Sequence, residues 1–143
     1  MAALNPYLHF NGNAEEAFNF YKSQFGGEFQ TLQRYENMPS DVPTPSGSNP
    51  AKILHVSLPI SKETVLMGSD VPGSHPGVTI GSNFAISINT ESEEEATKLF
   101  DGLSAGGQVT MPLGKTFWGA FFGMFTDKFG IQWMVNYDYN QNK

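Results

Sequence analysis

Short stretches of this chain alternate between apolar and polar residues, and two others repeat apolar residues at helical spacing. Residues 5–10 (NPYLHF) alternate weakly and predict a strand. Asn13 then reads as a helix N-cap, with Glu16 three residues on completing a capping-box pattern. Ala14, Ala17, Phe18, Tyr21 and Phe25 fall on one helical face, and Gly26-Gly27 marks the stop. Residues 28–35 alternate as a strand, and 51–60 with 63–69 form a hairpin pattern. The segments 38–50 and 70–82 are rich in Pro, Gly and Ser and predict loops, the first a plain connector or a lid over a pocket. Residues 84–89 predict another strand. Ser92 caps a second helix with Glu93, Glu94 and Glu95 in its first turn and Ala96, Leu99, Phe100 and Leu103 on its apolar face. Gly106-Gly107 ends it, and 108–113, 117–126 and 131–137 read as three more strands.

The two halves share one order: strand, helix, Gly-Gly, three strands. A unit of this kind has one apolar sheet face that it cannot bury alone. The fold class expected is therefore α+β, with two βαβββ modules forming a curved mixed sheet, helices on its outer face, and a pocket enclosed. The modules span approximately 1–70 and 82–138, linked by 71–81, within a single domain of 143 residues. A pair of ferredoxin-like βαβ units is the rival topology, and the position of the first strand decides between them.

Composition narrows the function classes. The net charge is −6, and the 8 Lys and Arg are scattered, which argues against nucleic acid and against a polyanionic ligand. There are no cysteines, so thiol catalysis, Cys-ligated zinc and disulfides are excluded. Charged residues make up only 15% of the chain, below the usual quarter, which fits a cavity or a buried homodimer interface. No apolar run is long enough to cross a bilayer, and no signal-like segment is read, so no membrane role and a cytoplasmic location are expected.

Two strings carry a family resemblance across nearly the whole chain. Phe117-Trp118-Gly119, Phe122-Gly123, Asp127, Phe129-Gly130 and Trp133 resemble the C-terminal signature of the vicinal oxygen chelate superfamily, which includes glyoxalases, dioxygenases and bleomycin-resistance proteins. Pro6-Tyr7-Leu8, Asn11-Gly12, Ala14-Glu15, Phe20-Tyr21 and Phe25-Gly26-Gly27, with Leu66-Met67 and Ser69-Asp70, resemble its PhnB-like branch, often labelled demethylubiquinone methyltransferase-like. Nothing in the chain resembles an S-adenosylmethionine-binding segment. The resemblance implies the two-module fold just described and pairing of chains, often with a module from each completing the cavity. Local physics explains part of the signature: Asp127 starts a turn, Gly130 takes a positive φ, and Gly119 and Gly123 mark bulges or close backbone approach.

The resemblance also implies four metal-ligand positions, which fall here on Pro6, Met67, Asn83 and Met134. Pro has no ligating atom, and Met and Asn are poor ligands for Zn²⁺, Ni²⁺ or Mn²⁺, so neither a metal nor another cofactor is expected. Strand parity then assigns the ligand pocket to Leu8, Phe10, Met67, Trp118, Phe122 and Met134, with His55 its polar contact. On that parity His9 turns toward the helices, and His75 lies in a loop. Gly114-Lys115-Thr116 lacks the upstream glycine of a phosphate-binding loop, and the paired glutamates sit at helix starts. Two functions stay open. One is a metal-free protein binding an aromatic or amphipathic small molecule; the other is an isomerase- or lyase-type enzyme using a divalent metal, or His55 with Asp70 or Tyr35 as acid and base.

Overall fold

The computed structural model describes residues 2–39, 41–43, 48–73 and 76–140. The chain divides into two units, Met1–Thr79 and Ile80–Lys143, each built on the same element order. In the first, β1 (Tyr7–Phe10) leads into α1 (Ala14–Phe25), then β2 (Thr31–Arg34), β3 (Ile53–Pro59) and β4 (Val65–Asp70). In the second, β5 (Ile86–Asn89) leads into α2 (Glu93–Ser104), then β6 (Gln108–Lys115), β7 (Ala120–Thr126) and β8 (Gln132–Asp138). Each unit has its own four-stranded mixed sheet, ordered β1-β4-β3-β2 and β5-β8-β7-β6. The first strand of each lies parallel to the last strand of its own module, which rules out the ferredoxin-like alternative.

One face of each sheet is buried by its helix. In the first unit, Leu8, Gly68, Val56 and Leu32 are cross-strand partners in one row. Ala14, Ala17, Phe18 and Tyr21 of α1 are buried with Leu8, Phe10 and Val56, and the Phe10 and Phe18 rings meet edge to face. Gly68 leaves room for this packing, because a Cβ there would come within 2.7 Å of the Phe18 ring. In the second unit, Ala96, Leu99, Phe100 and Leu103 are buried with Phe125, Trp133 and Val135. Gly123 plays the same part there, since a Cβ would come within 2.6 Å of Phe100.

The helix ends differ from one another. Ser92 caps α2 as expected, accepting from Glu95 N–H at 3.0 Å. Asn13 makes no side-chain bond to the first turn of α1. That role falls to Asp70 at the end of β4, whose Oδ1 accepts from Ala14 N–H at 2.9 Å while Oδ2 accepts from Ile53 N–H at 2.9 Å. A carboxylate 56 residues away thus caps the helix and ties it to two strands. The family signature is likewise structural at Asp127. Its Oδ1 accepts from Phe129 and Ile131 N–H, its Oδ2 accepts from the buried Trp133 indole at 2.8 Å, and Gly130 closes the turn at φ +90°.

Candidate functional site

The face of each sheet turned away from its helix is the one that can meet a ligand, and strand register says which side chains stand on it. Residues directly opposite one another share a face, and neighbours along a strand alternate. In the first unit Tyr7, Met67, Ser57 and Thr31 form one row. In the next row His9 lies opposite Ser69 and His55 opposite Gln33. The Tyr7 hydroxyl and His55 Nδ1 are 3.1 Å apart. The Tyr7 ring lies 5.6 Å from that of His55, stacked, and 5.3 Å from that of His9, tilted. Tyr7 and His9 are exposed and His55 half-buried, so these polar rings are open to an incoming molecule.

By this register Met67 and His55 stand on the open face, and the parity expected of β1 is reversed. Leu8 and Phe10 are 5% and 4% exposed and belong to the core beneath α1, whereas Tyr7 and His9 point away from it. The physical reason is visible in the strand itself: of YLHF, only Leu8 and Phe10 are wholly apolar, and they take the helix face. The expected acid–base partners of His55 are also on the wrong side. Asp70 is 2% exposed and fully engaged with backbone N–H groups, and the Tyr35 hydroxyl donates to the Asp70 carbonyl at 2.8 Å. Burial, and then the nearby Asp70 charge, push the Tyr35 phenol above its ordinary range.

In the second unit Ser87, Met134, Met124 and Met111 form one open-face row, and Asn89, Asn136, Phe122 and Gly114 the next. Met134 and Phe122 stand on this face. Trp118 is not in a strand, because Thr116 and Gly119 close a turn before β7, with Gly119 at φ +90°. From that turn its ring reaches Phe122 edge to face at 6.0 Å and stays 55% exposed. Phe117 beside it is 98% exposed. Trp133, by contrast, is core.

The metal positions implied by the resemblance shift with the register. Tyr7, not Pro6, is the cross-strand partner of Met67; Pro6 precedes β1, and its carbonyl accepts Met67 N–H. Asn83 precedes β5, and the partner of Met134 is Ser87. A phenol beside a thioether and a hydroxyl beside a thioether do not fit a hard or borderline divalent ion. Among the described residues, no three His, Cys, Asp or Glu side chains gather at one point. His75 and residues 40 and 44–47 of the 38–50 loop lie outside the described residues. A shallow cleft of about 270 Å³ in the first unit, lined by Asn11, Lys52, Asp70 and Pro72 among others, includes none of the expected pocket residues.

Two βαβββ units with parallel first and last strands and an open sheet face define a recognised class. The chain belongs to the glyoxalase/bleomycin resistance protein/dioxygenase superfamily, whose family model matches residues 3–135. It is similar to the protein YjdN of Escherichia coli K12, 31% identical over 140 residues that cover 93% of each chain. It also resembles the crystal structure of protein PA1353 from Pseudomonas aeruginosa, 40% identical with a TM-score of 0.83, covering 96% of this chain and 98% of that one. The PhnB protein from Bacillus cereus, whose name carries a 3-demethylubiquinone-9 3-methyltransferase label, is 27% identical with a TM-score of 0.76, covering 95% and 99%.

Proposed function

We propose that this protein binds a small aromatic or amphipathic molecule on the open sheet face of its second unit and does so without a divalent metal. The observation that carries this reading is the second unit's open face. Met111, Met124 and Met134 stand side by side across three strands, next to Phe122 and an edge-on Trp118. Thioethers are polarisable and adapt their shape, and exposed aromatic rings stack on flat ligands, so this surface suits an apolar body of variable outline. A homodimer belongs to the same reading, supported by the low charged fraction and by the exposure of Val109, Met111 and Phe117. A chain without cysteines has no need of an oxidising compartment, which supports a cytoplasmic location.

The test is an NMR titration with 2-naphthalenemethanol, a flat neutral probe, read at the methionine methyl groups. Binding should move the Met124 and Met134 signals, and Trp118→Ala should weaken it about tenfold, the effect of one lost aromatic contact of roughly 1.4 kcal/mol. No shift of any methionine methyl at millimolar probe would overturn the reading. A second reading, an acid–base enzyme, is favoured by one observation, the hydrogen bond between the Tyr7 hydroxyl and His55 Nδ1.

A further inference from the structure

Three of the chain's six methionines stand on one row of the second unit's sheet. Met124 in β7 is directly opposite Met134 in β8 on one side and Met111 in β6 on the other. A regular ladder would not put Met111 there. Val109 pairs with Phe125, so an unbroken β6 would set Thr110 opposite Met124. Instead β6 slips by one residue between Val109 and Met111, and slips again between Met111 and Gly114. The two irregularities bracket Met111 and bring it into register with Met124. Re-aiming a side chain beside a site is a common use of such bulges.

We propose that the Met111–Met124–Met134 row is a binding site for a soft monovalent metal ion of the Cu(I) class. The site lies on the face of the small-molecule reading above but does not depend on that reading. Thioether sulfur is a soft, neutral donor, and soft sulfur ligands select Cu(I), whereas Mg²⁺, Ca²⁺ and Mn²⁺ take oxygen. Directly opposed residues have Cβ atoms about 5 Å apart, so Met111 and Met134 stand about that far to either side of Met124. A methionine side chain has three rotatable bonds. By leaning inward, the two outer side chains can bring their sulfurs to an ion seated over Met124. Ser87 is the fourth member of the row. The open-face rows beside it carry Gln108, Thr126 and Gln132 on one side and Asn89, Asn136, Phe122 and Gly114 on the other. None of these is a carboxylate or an imidazole, so a hard or borderline cation finds no anionic or nitrogen ligand among them. The net charge of −6 favours a cation over an anion at the protein's surface. Met111 is 43% exposed, and Met124 and Met134 are half-buried, so the row is open to an ion from solvent.

Silver(I) is the first probe, because it shares the soft monovalent chemistry of Cu(I) and is stable in air. The chain has no cysteine to compete for it. Silver nitrate is titrated into the intact protein in chloride-free buffer and read at the methionine methyl groups. The Met111, Met124 and Met134 signals should move together and stop at one equivalent, with Met67 of the first unit unmoved. Cu(I) added under argon should move the same three signals, and Zn²⁺ none of them. Met124→Leu and Met134→Leu conserve volume and remove one sulfur each, so both should fold and should bind silver about tenfold more weakly or worse. Met67→Leu should change nothing. If Met124→Leu fails to fold, Met111→Leu, at the most exposed of the three positions, takes its place. The metal site is overturned if silver or Cu(I) leaves the three methyls still, if Met67 or Zn²⁺ responds as strongly, or if the leucine variants bind silver as tightly as the unaltered chain. The naphthalene probe separates that failure from failure of the small-molecule reading. Leucine keeps the apolar surface, so 2-naphthalenemethanol should bind Met134→Leu within about threefold of the unaltered chain whether or not silver binds.

Discussion

Asp70 offers a sharp quantitative test of how the first unit is held together. Both of its carboxylate oxygens accept backbone N–H groups at 2.9 Å, one from the first turn of α1 and one from β3, and the side chain is 2% exposed. Asp70→Ala strands both donors in a buried position, at about 1–3 kcal/mol each. It also removes a negative charge from a helix N-terminus, worth a further 0.3–1 kcal/mol or so. The expected cost is about 3–5 kcal/mol, a large part of the 5–15 kcal/mol that holds an ordinary domain folded. Asp70→Asn keeps one acceptor and presents an N–H₂ to the other donor, so it should cost about half as much. Asn13→Ala is the paired control. A capping Asn is typically worth about 1 kcal/mol, but Asn13 makes no side-chain bond to the helix, so its replacement should cost under about 0.5 kcal/mol. Urea unfolding followed by far-ultraviolet circular dichroism and tryptophan fluorescence gives all three values. An Asp70→Ala cost below about 1 kcal/mol, or an Asn13→Ala cost equal to it, would refute the assignment of the cap.

Other expectations are as specific. Trp118→Ala should cost far less stability than the roughly 3–5 kcal/mol of a packed core tryptophan, because its ring is 55% exposed; thermal melting of this variant beside Trp133→Ala, which should reach that range, checks the contrast. Gly123→Ala forces a methyl to within 2.6 Å of Phe100 and 2.9 Å of the Leu113 backbone, so it should destabilise by about 1–3 kcal/mol in the same assay. Glu15 is held below the usual carboxylate range by its hydrogen bonds from the Arg34 guanidinium, only partly opposed by desolvation. Its contribution is therefore present above the unfolded carboxylate pKa and is lost as pH falls through the folded one. The pair is partly exposed, so Glu15→Gln should cost under about 1 kcal/mol at pH 7 and nothing at pH values where both forms are protonated, as melts across acidic pH would show.

Much of the architecture was legible in order and spacing alone. The helix at 93–104 could be read from Ser92, three glutamates and four apolar residues at helical intervals, because capping and amphipathicity are local properties. The duplicated βαβββ order was readable for the same reason, and so was the turn at Asp127–Gly130, where one carboxylate and one positive φ do the work within four residues. Alternation within well-defined strands sets Met67, His55, Phe122 and Met134 on the faces turned away from the helices.

The tertiary structure decided what alternation leaves open: which of the two faces is the core. In β1 a reading anchored on Pro6 sent Leu8 and Phe10 to the pocket and His9 to the helices, and a one-residue difference in register reversed all three. Only the pairing of Tyr7 with Met67, fixed by the β1–β4 ladder and by α1 closing over Leu8 and Phe10, sets Tyr7 beside His55 and His9. The cap of α1 was invisible for a related reason. Asp70 lies 56 residues beyond Ala14, whose N–H it caps, and no local pattern records a contact that the folded chain creates by bringing distant backbone together.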